Sequence, residues 1–103
     1  MKKADEQLIS EYLDGNERAI GVLVDRYITD VFNFAFKLTG DGQAAEDITQ
    51  ESFIKAWKNI YGFRRGSSFQ TWLFAITRNT SIDWLRKKKE LAFSVFEKDD
   101  GEE

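Results

Sequence analysis

The sequence predicts a compact all-α fold, a bundle of about four helices, and three observations carry that expectation. Proline is absent from all 103 residues, where an average chain of this length carries about five. Long helices account for the lack, because proline breaks a helix interior. Apolar residues recur in three- and four-residue steps over most of the chain, which is the spacing of one helix face. No repeat and no β-hairpin signal is present.

The first helix is expected over 5–14, where Leu8, Ile9, Tyr12 and Leu13 share a face. Gly15-Asn16 ends it, and Asn16 is placed to cap the next. The second helix is expected over 17–38. Ile20, Leu23, Val24, Tyr27, Val31, Phe34, Ala35 and Leu38 form one stripe, and Ile28, Phe32 and Phe36 widen it. Such a broad face suits the middle of a bundle. Gly40-Asp41-Gly42 breaks this helix, and Asp41 or Gly42 starts a third over about 43–61. Glu46 and Asp47 lie near its positive end, as the macrodipole favours. Ala45, Ile48, Phe53, Ala56, Trp57 and Ile60 are expected to face the core.

Residues 62–68 read as a loop with turn chemistry. Ser67 or Ser68 then caps a fourth helix over about 69–89, with Phe69, Trp72, Leu73, Ile76, Thr80 and Trp84 inward. The expected domain is 1–90. Residues 91–103 are expected to form an acidic, flexible tail or the start of a linker.

Composition removes several classes of function. With no cysteine there are no disulfides and no thiolate chemistry. With no histidine, the usual general base and nearly all transition-metal sites are excluded. The carboxylates lack EF-hand spacing, so neither metal nor cofactor is expected. No apolar run approaches the roughly 20 residues of a membrane span. Met1-Lys2-Lys3 leads into Ala4-Asp5-Glu6-Gln7 rather than a signal-peptide core. A cytoplasmic protein without membrane insertion is the default expectation.

The net charge of −3 conceals three blocks of alternating sign. Residues 1–62 hold seven basic and eleven acidic side chains, 63–89 hold seven basic against Asp83 alone, and 90–103 hold Lys98 against six acids. A basic block between acidic ones suggests two partners, one of them polyanionic.

Three segments are candidates for those contacts. Asp47, Gln50, Glu51, Ile54 and Lys58 share one face of the third helix, turned away from its core residues. A polar face with one apolar anchor suits docking on a basic partner helix; it also reads as a solvated face with a stray isoleucine. Phe63-Arg64-Arg65-Gly66-Ser67-Ser68-Phe69 joins phosphate-pairing arginines to base-stacking aromatics, just before a helix N-terminus. Its other reading is an interhelical loop stapled down by its phenylalanines. On the fourth helix Arg78, Arg86 and Lys89 fall within about 80° of one another. They suit a phosphate backbone, or serve as charge complementing the helix end. Asn79, beside them, offers a donor and an acceptor to a base edge. Asp83 is placed to orient Arg86.

Together these segments resemble a known family. Ala45-Glu46-Asp47-Ile48-Thr49-Gln50-Glu51-Ser52-Phe53 is similar to the core-binding stretch of bacterial sigma factors. Phe63 through Phe69, Trp72-Leu73, Ile76, Arg78-Asn79 and then Asp83, Leu85 and Arg86 are similar to their promoter-recognition stretch. The resemblance is to the extracytoplasmic-function group of the sigma-70 family and covers about Leu8 to Lys89.

It implies a region 2 domain that docks on the β′ clamp helices of RNA polymerase through Asp47, Gln50, Glu51 and Ile54. It further implies recognition and opening of the minus-ten promoter element, with the non-template strand held as single-stranded DNA. A displaced base would enter a pocket near Phe63, Ser67, Ser68 and Phe69. Arg64, Arg65, Arg78, Arg86 and Lys89 would hold the strand, with Gly66 and Asn79 in the interface. An anti-sigma protein is a further implied partner. Members normally add a linker and a second, helix-turn-helix domain, so a fragment or a reduced protein is expected. Ala75 stands where members often carry arginine, and Arg65 where many carry glycine. The family is not enzymatic. A sequence-neutral single-strand binder and a protein-interaction bundle remain the alternatives.

Overall fold

The computed structural model describes residues 2–64 and 66–101, the last four by their backbone alone. They form four α-helices: α1 (Asp5–Leu13), α2 (Arg18–Thr39), α3 (Gly42–Lys58) and α4 (Phe69–Gly101). A 3-10 turn, Ile60–Gly62, follows α3. The starts of α2, α3 and α4 carry side-chain hydrogen bonds from the expected residues. Asn16 Oδ1 accepts from the Arg18 amide at 3.2 Å. Asp41 Oδ1 accepts from Gln43 and Ala44 at 2.9 and 3.1 Å. Of the two candidate serines it is Ser68 whose hydroxyl takes the Thr71 amide, at 3.2 Å. Gly40 ends α2 at φ 67°, a left-handed conformation open to glycine, and its amide donates to Phe36.

Helix α2 is the central element and packs against α1, α3 and α4. Leu8, Ile9, Leu23, Tyr27, Val31, Phe53, Ile60, Phe69 and Leu73 form the main core. Ala35, Ala44, Ala45 and Ile48 form a second cluster, flanked by half-buried Phe32 and Trp84. The face of α2 is narrower than its sequence suggests. Ile28, Phe36 and Leu38 are exposed, because three neighbouring helices do not cover the whole apolar arc.

The third and fourth helices carry buried hydroxyls, of which the sequence stripe places only Thr80 inward. Thr49 and Ser52 on α3, and Thr77, Thr80 and Ser81 on α4, are buried. Each hydroxyl donates to the carbonyl four residues back in its own helix, at 2.7–3.0 Å. The polar atoms are therefore satisfied without help from the neighbouring helix. These short side chains let α3 and α4 pack closely.

Two helix ends differ from expectation. Helix α3 stops at Lys58 and the chain tightens into the 3-10 turn, with the Asn59 side-chain amide donating to the Lys55 carbonyl at 2.8 Å. Helix α4 does not end at Lys89 but continues to Gly101. Glu90-Leu91-Ala92 and Glu97-Lys98 are good helix formers, and no glycine interrupts α4 before Gly101. The switch from basic to acidic composition is thus not a stop signal. Arg86 to Lys89 lie inside the helix rather than at its last turn, which removes the end-capping reading of that charge.

Helix α1 is tied down by charge as well as by Leu8 and Ile9. The Asp5 carboxylate accepts from Arg26 at 2.6 Å and from the Tyr27 hydroxyl. Burial, reinforced by that carboxylate, pushes the Tyr27 phenol up to about 12. No helix among the described residues is long and apolar enough to cross a membrane.

Candidate nucleic-acid interface

The loop between the 3-10 turn and α4 stands on an aromatic stack. Phe69 is the base of that stack, only 2% exposed. It lies against Tyr27 at 5.8 Å, Trp57 at 6.3 Å and Trp72 at 5.9 Å between ring centroids. Phe63 caps it, edge-on to Phe69 at 5.9 Å and tilted on Trp72 at 5.1 Å. The expectation that Phe69 lines the binding pocket is therefore corrected: its ring is spent in the core and props the loop from below. Half-buried Phe63 and Trp72 form the outer edge of the stack, where a planar ligand can be received.

Arg64, Gly66, Ser67 and Ser68 are exposed around that edge, and Arg65 lies outside the described residues. Gly66 adopts φ 94°, a left-handed turn that a side chain would strain. The Gly66 amide donates to Glu6 Oε1 at 3.2 Å, so α1 holds the loop in place. Residues outside the expected site join it here. Tyr61 is 80% exposed next to Phe63. Tyr61 and Phe63 line a cleft of about 100 Å³ with Glu6, Ile9, Leu13 and Ile60. The sequence signal for Tyr61 was the aromatic–glycine–aromatic run 61–63, hidden by its assignment to the end of a helix.

Along α4, Arg78, Asn79, Arg86 and Lys89 are exposed, and helical rise puts Arg78 and Arg86 roughly 12 Å apart. Arg86 is oriented as expected by Asp83, at 2.9 Å. Lys88 sits over the Trp84 ring, 5.1 Å from its centroid. The basic side of α4 thus continues from the end of the chain segment that forms the loop.

A second surface lies on α3. Asp47, Gln50, Glu51 and Ile54 are exposed together, Ile54 at 53%. Glu51 pairs with Lys55 at 3.3 Å, and Lys55 also reaches Thr80 at 3.0 Å. Beside this face runs a shallow groove of about 320 Å³, lined by Ile28, Thr29, Phe32, Glu46, Thr49 and Gln50. The exposed apolar residues of α2 are its floor, so the face offers more apolar area than Ile54 alone. Among the described residues no cluster of carboxylates could hold a metal ion.

Comparison with known proteins places this geometry in context. The family profile described as Sigma-70 region 2 matches residues 23–90. The ECF RNA polymerase sigma factor SigW of Bacillus subtilis is 36% identical over 86% of the chain. The RNA polymerase sigma-H factor of Pseudomonas aeruginosa is 36% identical over 82%. The chain spans 48% and 44% of the lengths of these two relatives, about half of each. An NMR structure of an engineered region 2 of sigmaE, in complex with GTAAAA, superposes with a TM-score of 0.77 at 30% identity. That likeness covers 86% of this chain and 95% of the other.

Proposed function

We propose a function from one premise: the chain belongs to the sigma-70 family, through its region 2, with extracytoplasmic-function sigma factors among its relatives. It serves as the part of a bacterial transcription initiation factor that binds core RNA polymerase and recognises and opens the minus-ten promoter element. The observation that carries this reading is the pairing of the region 2 match with a solvent-facing aromatic edge ringed by arginine and serine.

Two surfaces divide the work. Asp47, Gln50, Glu51 and Ile54, with the groove over Ile28 and Phe32, dock on the β′ clamp helices. Phe63 and Trp72 receive a base that has left the stack, and unstacking is repaid by ring contact and hydrogen bonds from Ser67 and Ser68. Arg64, Arg78, Arg86 and Lys89 hold the phosphates, while Asn79 reads a base edge. Nothing in this mechanism needs a catalytic residue or a cofactor, and the site of action is the cytoplasm. An anti-sigma protein that covers both surfaces would silence the factor.

The test is a titration of the chain with single-stranded DNA carrying GTAAAA against a scrambled strand, with and without core polymerase. Preference for GTAAAA together with polymerase capture supports the reading. Equal affinity for both strands points to a sequence-neutral binder, and failure to bind either to a protein-interaction bundle.

A further inference from the structure

The cleft beneath Tyr61 has no part in the two surfaces proposed above. One of its walls is a face of α1, where Glu6, Ile9 and Leu13 follow at helical spacing. The other is the 3-10 turn and the residue after it, through Ile60, Tyr61 and Phe63. Its volume of about 100 Å³ is well below the roughly 300–1,000 Å³ of a drug-sized ligand site. It therefore suits one planar group, with whatever is attached to that group left outside. Ile9 and Ile60 are buried and make the lining apolar. Tyr61 adds a ring that is 80% exposed and so open to stacking.

The cleft is continuous with the aromatic edge. Phe63 lines it and also tilts on Trp72 at 5.1 Å, while Trp72 is not part of the lining. Neighbouring bases of one strand can thus share the Phe63 ring, one at the Trp72 edge and one in the cleft.

The Glu6 carboxylate supplies the choice of base. Its Oε1 accepts from the Gly66 amide at 3.2 Å, which ties the side chain to the loop. A carboxylate at a phosphate-binding surface repels the strand, and a hydrogen bond accepted from a base offsets that repulsion. Adenine and cytosine present an exocyclic amine, N6 or N4, where thymine and guanine present a carbonyl oxygen, O4 or O6. Of these, only the amine donates to a carboxylate.

We propose that this cleft is a second base-binding site, which takes adenine or cytosine with the ring stacked on Tyr61 and the amine on Glu6. That assignment rests on the strand-binding role of the loop proposed above, to which it adds Tyr61 for affinity and Glu6 for selectivity.

Fluorescence anisotropy of the whole chain reads the site. The strands are GTAAAA, a scrambled strand, and the four in which one adenine of GTAAAA is replaced by thymine. For the base seated in the cleft, thymine should cost the wild type about tenfold in affinity. Glu6→Gln keeps an oxygen for the Gly66 amide and turns an NH2 group toward the base. It should abolish or reverse the loss at that position and leave the other three unchanged. Tyr61→Ala should weaken binding of GTAAAA about tenfold, with helical circular dichroism unchanged, and Tyr61→Phe should bind as the wild type does. A wild type that prefers GTAAAA to the scrambled strand, but whose thymine losses are the same in Glu6→Gln, overturns the cleft alone. Undiminished affinity in Tyr61→Ala does the same. A wild type with no preference for GTAAAA overturns the strand-binding role of the loop, and the cleft with it.

Discussion

At Phe63 the proposed chemistry and the packing meet in one side chain. The ring meets Phe69 edge-on and tilts against Trp72, and it is left half-exposed. Phe63→Ala should weaken binding of a GTAAAA strand by roughly 1–3 kcal/mol if the ring stacks a base. Fluorescence anisotropy checks this, with a thermal melt to separate lost contact from lost stability; undiminished preference in a folded variant removes Phe63 from the site. Asn79 and Arg86 differ in kind. Asn79→Ala should flatten discrimination among strand variants, while Arg86→Ala should weaken all of them alike and reduce the salt slope by about 0.7 for a single strand. A binding panel at several salt concentrations reads both, and the opposite pattern reverses the roles. Tyr27 gives a pH signature. Its phenol is raised to about 12 in the folded chain, so the folded state holds that proton more tightly than the unfolded one. The stability tied to it is complete below about pH 10 and is lost as pH rises toward 12. Denaturant midpoints at pH 8 and pH 11 should therefore fall further for the wild type than for Tyr27→Phe. Single residues were the least legible scale. Phe69 was expected both inward on the fourth helix and beside the base pocket, and only the inward half agrees with its burial, because a loop sequence does not show which of two phenylalanines reaches the surface. Trp72 packs against the core as expected, but its half-exposed outer edge was not legible.

At the scale of elements, the polar face of α3 was readable because period alone assigns Asp47, Gln50, Glu51 and Ile54 to one side. Its groove was not, since Ile28 and Phe32 reach it from α2 through tertiary packing. Asp47→Lys/Glu51→Lys should lower affinity for core polymerase while leaving the chain helical, as like charges set against each other at an interface cost several kcal/mol. A polymerase pull-down titration checks this, and unchanged capture would sink the assignment. Thr80 was placed inward, but Thr49, Ser52, Thr77 and Ser81 were missed because Ser and Thr count as polar in any periodicity, although back-bonding lets them sit in a core. Ser81→Leu should destabilise by about 1–3 kcal/mol through overpacking, whereas Ser81→Ala, which keeps the volume, should cost less. Chemical denaturation of the two variants gives the comparison. Helix starts were legible at Asn16, Asp41 and Ser68 because a cap is a local feature. The end of α4 was not, because nothing local stops it where the basic block ends.

For the molecule as a whole, the order of the four helices and the all-α class followed from sequence pattern, since long stripes and missing proline leave little choice. The length of the last helix did not follow. The expected bundle is there, but α4 projects beyond it, and the molecule measures 65 × 23 × 21 Å. The excess length is the outer half of α4, which no pattern rule distinguishes from a packed helix. That helix begins against the Phe63 loop and runs without a glycine or proline to Gly101, a span of about 48 Å. An unbroken helix bends little over such a distance. The far end is therefore a handle on the near one. Whatever grips the tip fixes the direction in which the aromatic edge is presented, and does so by leverage, without touching that edge.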